Sequence, residues 1–160
     1  MNVFDAVMRT STITLNVRSE TSPEFIDITD EVEEFIESSG VLNGIVVVFS
    51  KHTTAAIVIQ EDEPLLLDDF RNLLDSIASS DAKYSHNDFD VRTVHMHDNE
   101  CPNGHSHCQH LTLGSSESVP VIDGKMALGE WQRVFMVELD GEKAQQIGYR
   151  EVVVQVLGQT

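Results

Sequence analysis

Hydrophobic and polar positions alternate over short runs along most of this chain, and two stretches show helical spacing instead. Over residues 6–17, Met8, Thr10, Thr12 and Thr14 alternate with Val7, Ile13, Leu15 and Val17, which predicts a first strand. Asp27 or Thr29 is placed to cap a helix whose first turn holds Asp30 and Glu31, acids suited to the positive helix end. Its apolar face is Val32, Phe35 and Ile36, and Gly40 closes it. Asn43-Gly44 precedes a β-branched run to Phe49, and a second run covers residues 55–59. These predict two strands joined by the polar segment 50–54. Pro64 fits a first helical position, and Leu66, Phe70, Leu73, Leu74 and Ile77 recur at helical spacing, predicting a helix over 64–79. Residues 81–110 are polar and His-rich. From 117 onward the pattern predicts strands near 119–122, 131–139 and 147–157, with turns at Asp123-Gly124 and Asp140-Gly141. Two main helices among many strands predict an α+β fold with mostly antiparallel sheet.

Composition narrows the class. A chain of 160 residues with 41% hydrophobic content reads as one folded domain, 1–160, not as a disordered chain. The 27 Asp and Glu against 10 Lys and Arg leave a net charge of −17. That charge repels polyanions, which argues against nucleic acid and anionic membranes as partners. An acid-rich, Lys-poor surface stays soluble at high ionic strength, so a halophilic source is expected. No signal peptide is visible at the N-terminus, and no apolar run approaches the roughly 20 residues of a spanning helix. The expected location is cytoplasmic, with Cys101 and Cys108 reduced.

Candidate chemistry clusters in five places. Between Cys101 and His110, five of ten residues can ligate a transition metal, with His86, His95 and His97 upstream. The spacing matches no common zinc-finger pattern. If the segment is helical from Asn103, His107 and His110 share one face, and His105 and Cys108 another. Both faces cannot serve one ion, so a subset would bind. A zinc site with one open position would use His86, His107 and one of His105 or Cys101; the plain alternative is a solvated polar loop. Lys51-His52-Thr53-Thr54 joins two strands, and His52 there is either a general base or ligand or a satisfied turn residue. Glu61 and Asp69, in the acidic stretch around Pro64, can hold Mg²⁺ or simply cap and solvate a helix. In Gly114-Ser115-Ser116, small residues and hydroxyls suit an anion. Trp131-Gln132 offers a ring for stacking, although a lone Trp is more often core.

In their order these residues resemble the YjbQ-like family, also called the secondary thiamine-phosphate synthase family. The resemblance is carried by His52-Thr-Thr-Ala-Ala56, Glu61 with Pro64 and Asp69, Tyr84-Ser-His86, Asn103-Gly-His-Ser-His107, Leu113-Gly-Ser-Ser116, Val119-Pro-Val121 with Asp123-Gly124, Gly129-Glu-Trp-Gln132 and Glu138-Leu-Asp-Gly141. It implies a small α+β fold with sandwich-like sheets, assembled as a homotrimer. It implies a site near subunit boundaries, with family histidines matching His52, His86 and His107. It also implies a weak activity joining hydroxymethylpyrimidine diphosphate to a thiazole phosphate, beside an unsettled main cellular role. The chain departs at Gln109, where the family often has a Lys, and by one residue fewer before Pro64.

Three functions follow. As an enzyme of that family, the protein would hold a divalent metal, zinc or magnesium, with Glu61 and Asp69 as its carboxylates. Ser115, Ser116, Thr53 and Thr54 would receive phosphate, His52 would move a proton, and Trp131 with Gln132 would hold a ring. As a hydrolase, it would use metal on His86, His105 and His107. As a trimeric binding module, it would hold metal or ligand without turnover.

Overall fold

The computed structural model describes residues 7–160. The start of the predicted first strand, residue 6, lies outside them. Eight strands and four α-helices follow in the order β1 (Met8–Val17), β2 (Glu24–Asp27), α1 (Thr29–Ser39), β3 (Asn43–Ser50), β4 (Ala55–Gln60), α2 (Pro64–Ile77), α3 (Gly104–Leu113), β5 (Ser116–Ile122), β6 (Lys125–Met126), β7 (Arg133–Glu138), α4 (Gly141–Ile147) and β8 (Arg150–Gln159). A short 3₁₀ turn, Ser85–Asn87, precedes α3. The fold is α+β, and every strand pairing is antiparallel.

The strands form two sheets, β1-β8-β3-β5-β6 and β2-β7-β4. Alternation places Val46, Val48, Val152, Val154 and Val156 on the inner face of the larger sheet, all fully buried. They pack against Val32 and Ile36 of α1 and against Ala55, Ile57, Val134 and Met136 of the smaller sheet. The other face of the smaller sheet carries Ala56, Phe135 and Val137, covered by Leu67 and Leu74 of α2. Phe25 fixes this second layer, with ring centroids 5.7 Å from Phe70 and 6.1 Å from Phe135. β7 therefore has core on both sides. Across β3 and β8, Gly44 pairs with Gly158, and a Cβ on either would strike the opposite backbone.

Several expectations need correction. The two expected helices, α1 and α2, are joined by two more, because α3 forms inside the His-rich segment and α4 after Asp140. Asp140-Gly141 is no hairpin turn: the Asp140 carboxylate accepts from the Lys143 N–H at 3.0 Å and caps α4. Ile147 consequently ends that helix, and the last strand begins at Arg150. The strands β3 and β4 do not pair but enter different sheets, so the segment between them crosses the sandwich. Trp131 precedes its strand in a turn. Neither Asp27 nor Thr29 caps α1: the Asp27 carboxylate bonds Thr29 itself, and the Thr29 hydroxyl accepts from the Val134 N–H. At α2 it is Glu63 that caps, accepting from the N–H groups of Leu65 and Leu66. No helix among the described residues is long and apolar enough to cross a membrane. Cys101 is buried, Cys108 is exposed, and both are free.

Candidate functional site

One end of the sandwich opens into a cleft of about 490 Å³ where the β3–β4 connection, the 3₁₀ turn, the start of α3 and the start of β8 converge. Its most buried members are Arg150 (2% exposed), Thr54 and Asn103. Arg150 occupies an inward position of β8, in phase with Val152 and Val154, and Glu138 an inward position of β7, in phase with Met136. Opposite charges thus meet between the sheets. Arg150 Nε and Nη2 donate to the two Glu138 carboxylate oxygens at 2.8 and 2.9 Å. Nη2 also reaches the Thr54 hydroxyl and the Asp140 carbonyl, both at 3.2 Å. None of these bonds uses Nη1.

Four of the ten Lys and Arg line this cleft, Lys51, Arg92, Lys143 and Arg150, as do five of the seven His. Of the 26 acids among the described residues only Glu100 does so, and it pairs with Arg92 at 3.1 Å. Lys51 is matched by Glu151 at 3.0 Å. Lys143 forms no ion pair among the described residues.

His52 enters from the segment that crosses between the sheets. Its Nε2 accepts from the Glu151 N–H at 2.8 Å, which places the neutral ring's proton on Nδ1. Burial, reinforced by the nearby Arg150 charge, lowers its affinity for protons. His86 and His107 lie edge to face with centroids 4.7 Å apart. Gly104 makes that contact: a Cβ there would strike Tyr84, and its N–H donates to the Asn87 side chain at 2.9 Å. The 3₁₀ turn can therefore seat directly on the start of α3. Burial, then the neighbouring His86, lowers the proton affinity of His107.

The other predicted residues are elsewhere. His105 points away from His107, facing a separate cavity of about 80 Å³ with Gln109, and its ring lies 6.3 Å from Tyr84. Gln109, the departure noted above, is buried and donates to the Leu74 and Ala78 carbonyls, so a cation is not missing from the cleft on its account. Ser115 bonds the His110 ring at 3.2 Å, and Ser116 opens β5; neither lines the cleft. Asp69 lies midway along α2 and does not line the cleft, while Glu61 follows the end of β4 at Gln60 and exposed Trp131 and Gln132 precede the paired start of β7 at Arg133. Glu61, Trp131 and Gln132 thus lie past the far end of β4, about 20 Å from its Thr54 end at ~3.3 Å per residue. The predicted set therefore divides between two ends of one strand.

Metal coordination meets a limit in this geometry. His86 and His107 are adjacent, but among the described residues no group of three or more His, Cys, Asp or Glu is placed to hold an ion. Cys101 is no substitute, since burial and then the Asp140 charge push its thiol up to about 11. Arg92, Lys143 and Arg150, which stand in none of the candidate motifs, supply much of the cleft beside Asn103 of the Asn103–His107 motif; the sequence signal for Arg150 is a charge on the buried phase of a strand.

Comparison with known proteins gives a consistent family. A family model described as UPF0047 protein YjbQ-like matches residues 13–159. A UPF0047 protein of Methanothermobacter thermautotrophicus is 42% identical over 140 residues, 88% of this chain and 90% of its own. The Bacillus subtilis UPF0047 protein YugU is 30% identical over 131 residues, 81% of this chain and 90% of its own. The crystal structure of a YbjQ-like protein of unknown function from Sulfolobus solfataricus superposes with a TM-score of 0.82 at 34% identity, covering 95% of this chain and 99% of that one. One from Clostridium acetobutylicum, of the YjbQ/UPF0047 family, gives 0.75 at 30% identity, covering 90% and 98%. With the fold and nearly the whole sequence matched, this chain belongs to the UPF0047 YjbQ-like family.

Proposed function

We propose that the cleft binds a small phosphorylated molecule and that the protein acts on it as a transferase, with thiamine-phosphate formation as the candidate reaction. One observation carries this reading: four of ten cationic side chains and five of seven histidines line the cleft, against one of the 26 acids among the described residues. In a chain of charge −17 the overall field repels an anion, so such a ligand requires a local site. Arg150 Nη1, the Thr53 and Thr54 hydroxyls and the Nδ1–H of His52 are donors suited to phosphate oxygens. In the candidate reaction a thiazole nitrogen attacks the methylene carbon of the pyrimidine diphosphate. A C–N bond forms, the C–O bond breaks, and diphosphate leaves with the electron pair. No proton has to be removed from the nucleophile. The task is to stabilise charge on the departing oxygens, which donors accomplish and a general base does not.

A divalent ion would supply further charge neutralisation. His86 and His107 offer two nitrogens, fewer than the three or four protein ligands zinc takes, so no step is assigned to an ion.

The test is direct. Purified protein with both substrates and Mg²⁺ should form thiamine phosphate above a heat-killed control. Formation unchanged by combined His86→Ala and His107→Ala would remove the cleft as the site, and tight phosphate binding without turnover would leave a binding module.

The same proposal includes a homotrimer. The outer face of the larger sheet exposes Ile45, Phe49, Ile122 and Leu157, interspersed with Thr10, Thr12 and Thr14. Between Glu151 at one end and Lys125 at the far edge it carries no charge. Copies of charge −17 can approach closely only over such a surface. Two free cysteines support a cytoplasmic setting.

A further inference from the structure

The mouth of the cleft is formed in part by a strap, residues 91–100, that has no share in the core. Val91 and Val94 are 74% and 63% exposed, so apolar burial does not hold it in place. Its own polar groups shape it. The Arg92 guanidinium donates to Glu100 at 3.1 Å and to the His95 carbonyl at 2.8 Å. The second Glu100 oxygen accepts from the His97 N–H at 3.0 Å. His95 sits in the left-handed region with φ 53°, a conformation that costs energy in a residue other than glycine. Asn99 Nδ2 ties the strap to Gln146 Oε1 of α4 at 3.0 Å. This arrangement leaves His95 and His97 lining the cleft and open to a ligand, since both are exposed.

Lys143 and Ile147, one turn apart on α4, line the cleft as well. Lys51, Arg92 and Arg150 are each matched by a carboxylate, so Lys143 is the cleft cation without one among the described residues. Asp140 sets it beside the floor: its carboxylate accepts from the Lys143 N–H, and its carbonyl accepts from Arg150 Nη2. Donors therefore stand at two depths, with buried Arg150 and Thr54 below and Lys143, His95 and His97 nearer solvent. A cleft of about 490 Å³ is several times the size of one phosphate, which can occupy only the lower position.

We infer that Lys143, His95 and His97 form a second, outer anion position, so that the cleft takes a ligand with two phosphoryl groups in tandem, a diphosphate or its ester. The inner group lies on Arg150, Thr54 and His52, and the outer one on Lys143 and the strap histidines. The inference rests on the phosphate reading and deepens it, assigning the outer phosphoryl group to residues that stand outside the His52, His86 and His107 set.

Calorimetric titration at pH 8 without divalent metal, using inorganic phosphate, inorganic diphosphate and citrate, tests it. Citrate is similar to diphosphate in charge and different in shape, so it controls for the field alone. The wild type should bind diphosphate about tenfold or more tighter than either phosphate or citrate, as added charge-assisted hydrogen bonds require. Lys143→Met should remove most of that advantage, and so should combined His95→Ala and His97→Ala, each leaving phosphate affinity within about twofold because exposed charges act weakly at a distance. Diphosphate bound no tighter than phosphate, or no tighter than citrate, would overturn the inference and leave the phosphate reading intact. An advantage that survives both variants would do the same. Binding of neither phosphate nor diphosphate would overturn both. Should one variant not fold, the other decides.

Discussion

The His52 ring accepts from the Glu151 N–H through Nε2 at 2.8 Å, so protonating that nitrogen breaks the bond that seats the ring. Burial lowers proton affinity at His52, and it does the same at His107 and His110. For these groups the folded value lies below the ordinary 6.5, so near that pH the unfolded chain binds more protons. Their stabilisation is complete above about pH 6.5 and is lost as pH falls from there through the folded values. In high salt, which screens the −17 charge, the melting temperature should fall from pH 7.5 to 5.5. His52→Gln, whose amide oxygen can still accept from Glu151, should show a shallower fall. A melting temperature that rises over that range contradicts the assignment.

Glu138 and Arg150 form a buried pair whose members cannot be removed singly at low cost. Glu138→Gln or Arg150→Met should destabilise by about 3–5 kcal/mol, because each leaves a charge buried without its partner. Replacing both with apolar residues should cost less than either single change. Phosphate affinity should nevertheless fall in every variant lacking Arg150. Denaturant unfolding and phosphate titration separate the two effects, and a double variant less stable than both singles would show that the pair does more than compensate itself.

Gly104 sets the distance between two histidines. Gly104→Ala puts a Cβ 2.5 Å from Tyr84 Cβ, so the 3₁₀ turn must lift from α3. His107 would then lose burial and the contact with His86, the two largest causes that lower its proton affinity. Its titration midpoint, followed by NMR, should move up toward that of a free imidazole. An unmoved midpoint means the turn does not lift.

The fold was legible wherever one face of an element is buried. The α1 face of Val32, Phe35 and Ile36 follows from that, whereas β1 is buried only at Val17 and Leu73 and Ile77 of the face expected for α2 are exposed. The fold is not legible where a short element or a charge carries the structure. β2 has only four residues, too few for a period. Asp140-Gly141 has the same letters as a hairpin turn, but the Lys143 N–H makes it a helix cap. His52, His86 and His107 were legible as residues yet not as a cationic cleft, because Arg150 and Lys143 approach from 90 or more positions away from His52. His105 was grouped with them by composition, and helix geometry turned it aside.

The exposed sheet face should govern assembly. Phe49→Glu places a carboxylate in the uncharged area without touching the core, since Phe49 is 43% exposed. The variant should stay folded and sediment as a monomer, whereas the parent should sediment as the proposed trimer. A folded variant with unchanged sedimentation would exclude this face from the interface.

The separation of the predicted site along β4 yields the last expectation. Glu61 and Trp131 lie past its far end, and β7 carries the same separation from Arg133 to Glu138. Within one chain they cannot touch a ligand held by Arg150 and Thr54. Trp131→Ala and Glu61→Gln should therefore leave phosphate affinity within about twofold of the parent, whereas Arg150→Lys should weaken it about tenfold or more, because a lysine lacks the fork that holds Glu138 and Nη1 together. The contrast is measurable by the same titration. A tenfold loss on Trp131→Ala would mean that a second copy carries this end of its own sheet to the cleft, and the affinity would then depend on protein concentration, as that of a single-chain site does not.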